Sequence, residues 1–368
     1  MSSQRQASSA AQVPHLSPAE LSYLYTSLAL PQNPIRPDGR SPTQFRPLSA
    51  ESNILPGTNG SARIGFADGT QAIVGVKAEV ERTVLISDTL DVDQDAETVE
   101  GAEESASAAT GGHGSWVQMS IEIPGFRDDD ALPVFLAEML RESLVGSVGG
   151  NEDNGERHMA GGLKGRLVIN KRWHWRLYID VLLLSQPLSY PLPLLSLTTH
   201  LALLSTKLPK LKSTGEEDPF FDDDWAAAEY LYPRSSTINS NPSQQVRPPV
   251  TLLVISVGEN VIFDPSREEI AVADAVLAIS FTRNSDSDTG TDEPLKLLLT
   301  QRGIANSETE NGNGPDSAAA AEEETPGVWR PRRGGIKRSV LAEMMKTALK
   351  KGGVGEEVLA GLEGVEVA

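Results

Sequence analysis

The sequence predicts an α/β protein with mixed sheets, and three observations carry that reading. Short β-branched or alternating runs recur as strands. Intervening stretches switch to a 3.6-residue apolar period. The order runs strands, helix, strands, helix, strands, helix, mostly through hairpin connections, so the sheets are mixed or antiparallel.

Residues 17–30 (SPAELSYLYTSLAL) open as a helix: Ser17 caps it, Pro18 takes the first helical position and Glu20 completes a capping box. Residues 61–66 and 71–80 form a hairpin around Asp68-Gly69. Residues 116–123 alternate, with Val117, Met119, Ile121 and Ile123 on one face of a half-buried strand. In 129–146, Leu132, Phe135, Leu136, Met139, Leu140 and Leu144 make an amphipathic helical stripe. Residues 165–169 and 173–185 read as two strands. The second turns apolar on both faces near its end, which predicts a central strand covered on both sides.

A largely apolar helix follows over 192–206, with Pro191 and Pro193 in its first turn. Residues 250–257 and 260–264 form a hairpin around Gly258, 270–283 and 295–302 a further strand pair. Residues 337–351 close with a helix whose stripe is Val340, Leu341, Met344, Met345 and Leu349.

The 368 residues suffice for one large or two medium domains, and 39% apolar content supplies a core. The formal charge is −19, but it is unevenly placed. Segments 87–115, 213–224, 284–293 and 305–326 hold 24 of the 51 acidic residues and no Lys or Arg, leaving a body with 27 acidic against 32 basic residues, net +5. These segments are poor in large apolar residues and read as flexible surface insertions; 149–162 and 233–249 read as further loops. The charge therefore does not exclude RNA; it confines RNA contact to a local basic face. No apolar run reaches the roughly 18 residues of a membrane span, and the first twenty residues lack the apolar core of a secretory signal.

The absence of cysteine excludes disulfides, thiolate catalysis and Cys-ligated zinc. The five histidines (His15, His113, His158, His174, His200) lack metal-ligand spacing, and His174 and His200 read as structural. There is no nucleophile elbow, P-loop or dinucleotide fingerprint, and no cofactor or metal is expected. Asp180, inside the apolar strand YIDVLLLS, needs a partner; it is catalytic or it ties a buried network. Asp264 precedes Pro265, with Glu268 and Glu269 following: three carboxylates that could hold a hard metal, or simply a turn. Basic residues gather at Arg36, Arg40 and Arg46, at Lys164, Arg166, Lys171, Arg172 and Arg176, and at Arg330, Arg332, Arg333, Lys337 and Arg338. Trp173, Trp175 and Tyr178 beside the second group fit single-stranded nucleic acid or ordinary sheet packing.

The runs R-P-D-G-R, F-R-P, N-G-S-A-R and G-T-x-x-I-V-G-V-K-A-E-V within 35–80 resemble the opening of the ribonuclease PH superfamily. WRLYIDVLLLS (175–185), IFDPSREEIAVADAVLAIS (262–280) and SVLAEMMKTALKKG (339–352) resemble its core strand, its strand-and-turn and its closing helix. Within the superfamily the likeness is greatest to ring subunits of the eukaryotic RNA exosome. It divides the chain into a tail (1–16), a helix and linker (17–34), two family-like halves (35–212 and 250–352) joined by an acidic, polar linker (213–249), and a C-terminal tail (353–368).

The resemblance implies a fold of β-α-β units, six such subunits around a channel that threads single-stranded RNA, and an RNA contact at Arg141; Arg63, Lys77 and Arg172 are further candidate RNA contacts. It also implies other ribonuclease PH-like ring subunits, S1/KH-type cap subunits and a hydrolytic nuclease as partners, with residence in nucleus, nucleolus and cytoplasm. Arg141 could equally be an exposed helical residue paired with Glu138 or Glu142.

Active members hold the attacking phosphate on a Gly-Gly-Thr-Arg-Thr-like loop at a helix N-terminus. Here SQPLSYPLPLLSL (185–197) has neither glycine nor arginine, and its prolines lack N–H donors. The family's Glu-Asp pair reads Glu268-Glu269. Asp180, Asp264 and Glu269 are thus vestigial-site positions, and no catalytic residue is expected. The alternatives left open are an active phosphorolytic exoribonuclease with a rearranged site and a stand-alone RNA-binding module.

Overall fold

The computed structural model describes residues 16–31, 33–83, 113–146, 163, 165–215, 217–232, 247–283, 295–303 and 336–365. The acidic segments at 87–112, 284–293 and 305–326, and the spans 149–162 and 233–246, lie outside them.

The first sheet has strand order β1-β2-β3-β5-β4: β1 (Leu48–Ser52), β2 (Gly60–Phe66), β3 (Gln71–Arg82), β5 (Trp173–Leu183) and β4 (Val117–Glu122). The hairpin at Asp68-Gly69 joins β2 and β3 as expected, with Gly69 at φ 88°. β4 and β5 are parallel and the other pairings antiparallel. The parallel pair is joined by a crossover containing helix α2 (Ala131–Val145), as parallel strands require. One face of β4 is buried through Val117, Met119 and Ile121, the alternation anticipated for it.

The second sheet has order β11-β10-β8-β9: β8 (Val250–Val257), β9 (Asn260–Phe263), β10 (Ala275–Arg283) and β11 (Leu295–Gly303), all antiparallel. Between the two sheets lies helix α3 (Leu192–Ser205), buried at every one of its 14 residues. A helix apolar all round is one enclosed on all sides. Gly60 permits its close seating, because a Cβ there would fall 2.6 Å from the Cα of Thr206, just past the end of α3. β8 is buried at all eight positions; α3 lies on one side, and α5 (Arg338–Leu349) and α6 (Val354–Glu363) complete the cover.

α1 (Pro18–Leu28) has the expected capping box, with Ser17 and Glu20 exchanging hydrogen bonds. It docks on the β8–β9 turn, where Asn260 donates to the carbonyls of Leu28 and Leu30.

Five expectations need correction. Residues 165–169 are not a strand; Val168 makes a single bridge to His174. Residues 270–274 are not strand either, because Ser266 and Glu269 form a second capping box that starts the short helix α4 (Arg267–Ala271). The end of β5 is not covered on both faces: Leu182 and Leu184 are 41% and 42% exposed. The acidic stretch 213–224, expected as a flexible insertion, is tied down: Leu211 bridges Phe221, and Lys212 accepts no slack, donating its N–H to the Phe220 carbonyl at 2.8 Å. It leads into a two-stranded ribbon of β6 (Lys207–Leu208) and β7 (Glu229–Tyr230). The expected tail at 353–368 contains α6, which buries Val354, Leu359 and Leu362.

His200 sits in the middle of α3, fully enclosed. Burial holds its imidazole down at about 4, against the pull of the nearby Pro248 and Pro249 carbonyls. The unfolded chain takes up this proton below the ordinary value of 6.5, whereas the folded chain does so only near 4. The stability contributed by the neutral ring is therefore complete above 6.5 and falls as pH drops toward 4, by roughly 3 kcal/mol in all. His200→Leu should flatten this acid limb in urea unfolding measured from pH 7 to 4.5. An unchanged slope would rule out His200 as its source.

Candidate functional site

The segment 33–47 crosses from α1 to the first sheet and passes the end of β9 on the way. There Phe263 donates its N–H to the Pro42 carbonyl at 2.8 Å. The next residue, Asp264, takes φ 47°, a left-handed conformation that Asp tolerates better than most. This turns its carboxylate, 1% exposed, toward the segment's three arginines.

Arg36 uses all five of its N–H donors. Nε and Nη2 form a fork on the Glu269 carboxylate, both at 2.8 Å. The remaining bonds go to the carbonyls of Asp264 (2.9 Å), Phe263 (3.1 Å) and Ser41 (3.3 Å). Neither the Arg36 nor the Glu269 side chain is exposed. Glu269 also accepts the Ser266 N–H at 2.8 Å, so the carboxylate that starts α4 is the one that receives Arg36. Arg40 donates to Asp264 at 2.6 Å and to its carbonyl at 3.0 Å. Arg46 grips both Asp264 oxygens (2.7 and 2.9 Å) and reaches Asp68 on the β2–β3 turn at 2.5 Å. Its guanidinium lies 4.5 Å over the Phe66 ring.

The geometry pairs these acids with cations. Asp264 and Glu269 are occupied by guanidinium groups, and among the described residues no group of three or more carboxylate or imidazole side chains is placed to hold a metal. Burial works against the ionised form of Asp264, but the hydrogen bonds and charge of Arg46, with Arg40, outweigh it and hold the carboxyl below its usual range.

Asp180 is elsewhere. It is exposed on the open face of the first sheet, where it accepts the Ser120 hydroxyl at 2.6 Å across the parallel pair. The expectation of a buried carboxylate fails because β5 is covered on one face only. The structure thus gathers Asp264 and Glu269 into one network and leaves Asp180 outside it. From β5 the chain runs through Leu184–Pro191 into α3. Pro191 caps that helix with no side-chain hydrogen bond, and Leu192 and Leu194 in its first turn are buried. Burial pushes the Tyr190 phenol up. Arg267 approaches the loop, donating to the Pro187 carbonyl at 3.3 Å.

The four residues read as RNA contacts are not brought together. Arg63 and Lys77 stand on the open face of the first sheet; Arg63 donates to Gln71 at 2.5 Å, and Lys77, 61% exposed, pairs with Glu79 at 2.9 Å. Arg172 lies in the exposed turn before β5. Arg141 is on α2, which covers the opposite face. It forks onto Glu138 (2.9 and 3.0 Å) and donates to the Gly114 carbonyl at 3.0 Å. Of the aromatics weighed beside them, Trp175 is packing: it is buried against Phe221 at 4.9 Å between ring centroids. His174 is stacked on Trp116 at 4.1 Å and bonded to the Thr83 hydroxyl at 2.9 Å. Sequence reasoning listed the arginines and the acids of the β9 turn separately and missed their union. The available signal was the need of any buried carboxylate for a cation.

No family model matches the chain. It is 31% identical over 272 residues to the exosome complex component Rrp42 of Saccharomyces cerevisiae, covering 73% of this chain and 82% of that protein. The chain belongs to the Rrp42 family of exosome components. A second member, exosome complex component Rrp42 of Schizosaccharomyces pombe, is 32% identical over 268 residues, 72% of this chain and 77% of that protein. Among solved structures, an archaeal exosome core matches with TM-score 0.48 and 18% identity over 93% of this chain and 94% of that one. Membership of the Rrp42 family bears out the superfamily resemblance read from residues 35–80, and the finer likeness to ribosomal RNA-processing protein 42 in V-K-A-E-V and D-V-L-L-L.

Replacing Arg36 by Met strands the Glu269 carboxylate in the interior and should cost about 3–5 kcal/mol in chemical denaturation. Arg36→Lys should not restore it, since an ammonium cannot fill the planar fork, whereas Arg36→Met with Glu269→Met should recover part of the loss. A single mutant of unchanged midpoint would contradict this account. The lowered carboxyl of Asp264 gives a second window. Its contribution is full above the ordinary value of 3.8 and lost as pH falls through the lower folded value. Asp264→Asn should therefore weaken the fold at pH 7 and remove the stability loss seen below about pH 4, as followed by circular dichroism.

Proposed function

We propose that the chain is a catalytically silent ring subunit of the RNA exosome, supporting 3′–5′ RNA processing and decay by building part of an RNA-threading channel. The observation that carries the placement is membership of the Rrp42 family across 73% of the chain. Silence is supported by the chemistry of 185–197. Phosphorolysis needs N–H donors converging on an anion; this stretch offers three prolines and an apolar first turn. The engagement of Asp264 and Glu269 by arginines argues the same way, because acids held in permanent ion pairs are poor proton carriers.

The partners in this proposal are other ribonuclease PH-like ring subunits, S1/KH-type caps and a hydrolytic nuclease, in nucleus, nucleolus and cytoplasm. RNA contact falls to Arg63, Lys77 and Arg172 through phosphate attraction. Arg141 joins them only by giving up Glu138.

The test is a reconstituted ring incubated with 3′-labelled RNA and inorganic phosphate. No phosphate-dependent shortening attributable to this chain is expected, and Asp180→Asn, an exposed change, should leave RNA processing by the full complex as it was. Phosphorolysis abolished by Asp180→Asn would refute silence. Failure to co-purify with ring subunits at equal stoichiometry would refute the placement.

A further inference from the structure

One surface is unused by the clamp and by the sheet face that carries Asp180. Residues 207–232 fold back over the start of β5 and enclose a groove of about 280 Å³ with Trp175, Leu211, Phe221 and Tyr230 in its walls. The acidic stretch that forms one rim is held in place. Asp222 donates its N–H to the Lys210 carbonyl at 2.9 Å, and its carboxylate meets the Lys212 ammonium at 3.0 Å. Asp224 caps the single turn at 225–227, accepting the Ala226 N–H at 3.0 Å.

Within this fixed frame the aromatics divide. Phe221 turns inward onto Trp175. Phe220 and Trp225 turn outward, 63% and 49% exposed, and Leu211 at the groove edge is 40% exposed. Asp223 stands exposed between the two outward rings in sequence, with Glu217 and Asp218 on the preceding turn and Glu229 on β7. Three basic groups nearby are engaged, while Lys210 stands exposed in the groove wall. Arg166 donates to the Leu231 carbonyl and lies over the Tyr232 ring, Lys207 lies over Tyr230 at 4.7 Å, and Lys212 holds Asp222.

Exposed aromatic anchors beside a groove whose walls mix apolar side chains with Arg166, Lys210 and Glu229 have the composition of a protein-binding hot spot. The acids choose the partner. Segment 213–224 carries six carboxylates and no cation, which repels a phosphate backbone and attracts Lys and Arg. We propose that the 207–232 ribbon is a docking surface for a basic protein segment whose apolar side chains seat against Phe220, Trp225 and the groove while its Lys or Arg residues meet Asp223 and Glu229.

The probe is a fluorescein-labelled peptide of lysine, leucine and tryptophan, titrated into the full chain and followed by anisotropy. Binding should weaken at least tenfold in Phe220→Ser/Trp225→Ser and in Asp223→Lys, both exposed changes, with the melting temperature unmoved. It should also weaken with salt. A peptide with glutamate in place of lysine should not bind. Equal binding by wild type and both variants would place the attraction in the general acidity of the chain and overturn the proposal, as would stronger capture of a single-stranded RNA by Asp223 and the aromatics than of the basic peptide. Should the double variant melt early, Asp223→Lys alone decides: unchanged affinity overturns the surface, and a tenfold loss sustains it.

Discussion

The structure turns on a carboxylate that three arginines share. Asp264 ends a strand of the second sheet, Asp68 sits on a turn of the first, and Arg46 holds both. The burial that encloses the apolar helix between the two sheets is not itself directional. The arginine clamp supplies the direction. Arg36 adds a second tie, from the opening segment to the start of α4, with every donor used. Charges taken from water are costly unless fully satisfied, and these are satisfied by bidentate geometry and by carbonyls at the β9 end.

The clamp changes what the charge balance means. Outside the acidic segments the body carries a surplus of five positive charges, which on its own would suggest a broad RNA-binding face. Yet Arg36, Arg40 and Arg46 are spent inside the protein, Arg166 on a carbonyl and a ring, Arg176 on Glu81 and Arg141 on Glu138. Among the described residues, the exposed cations left are scattered, from Lys77 on the open face of the first sheet to Arg172 in the turn before β5 and Lys346 and Lys350 at the C-terminal helix.

Local signals were legible where a residue's chemistry is local. The Ser17 capping box, the Asp68-Gly69 hairpin, the alternation of β4 and the Gly258 turn each depend on neighbours a few positions away. The failures share the opposite cause. Whether β5 is covered on one face or two depends on what lies across the sheet, and Leu182 reads identically in either case. The strand pattern at 270–274 yielded to the Ser266–Glu269 capping box, a motif in plain sight whose signal was overridden by β-branched neighbours. Segment 213–224 was read as solvated from its acids, but Phe221 packs on Trp175 and pins it. In the site, Asp264 and Glu269 were visible as unusual acids, while their partners lie more than two hundred positions away.

The run that carries the superfamily resemblance is the same run that builds the clamp. R-P-D-G-R supplies Arg36, Asp38 and Arg40, F-R-P supplies Arg46, and I-F-D-P-S-R-E-E supplies Asp264 and Glu269. In this chain those residues face each other. Removing a residue of this signature would therefore cost the fold, whatever it does to a reaction. The stretch 185–197 has no such duty to the clamp: its prolines and leucines enter α3, where apolarity is what the space between two sheets demands. The entry to α3 and the arginine clamp are thus distinct parts of the fold, shaped by different demands.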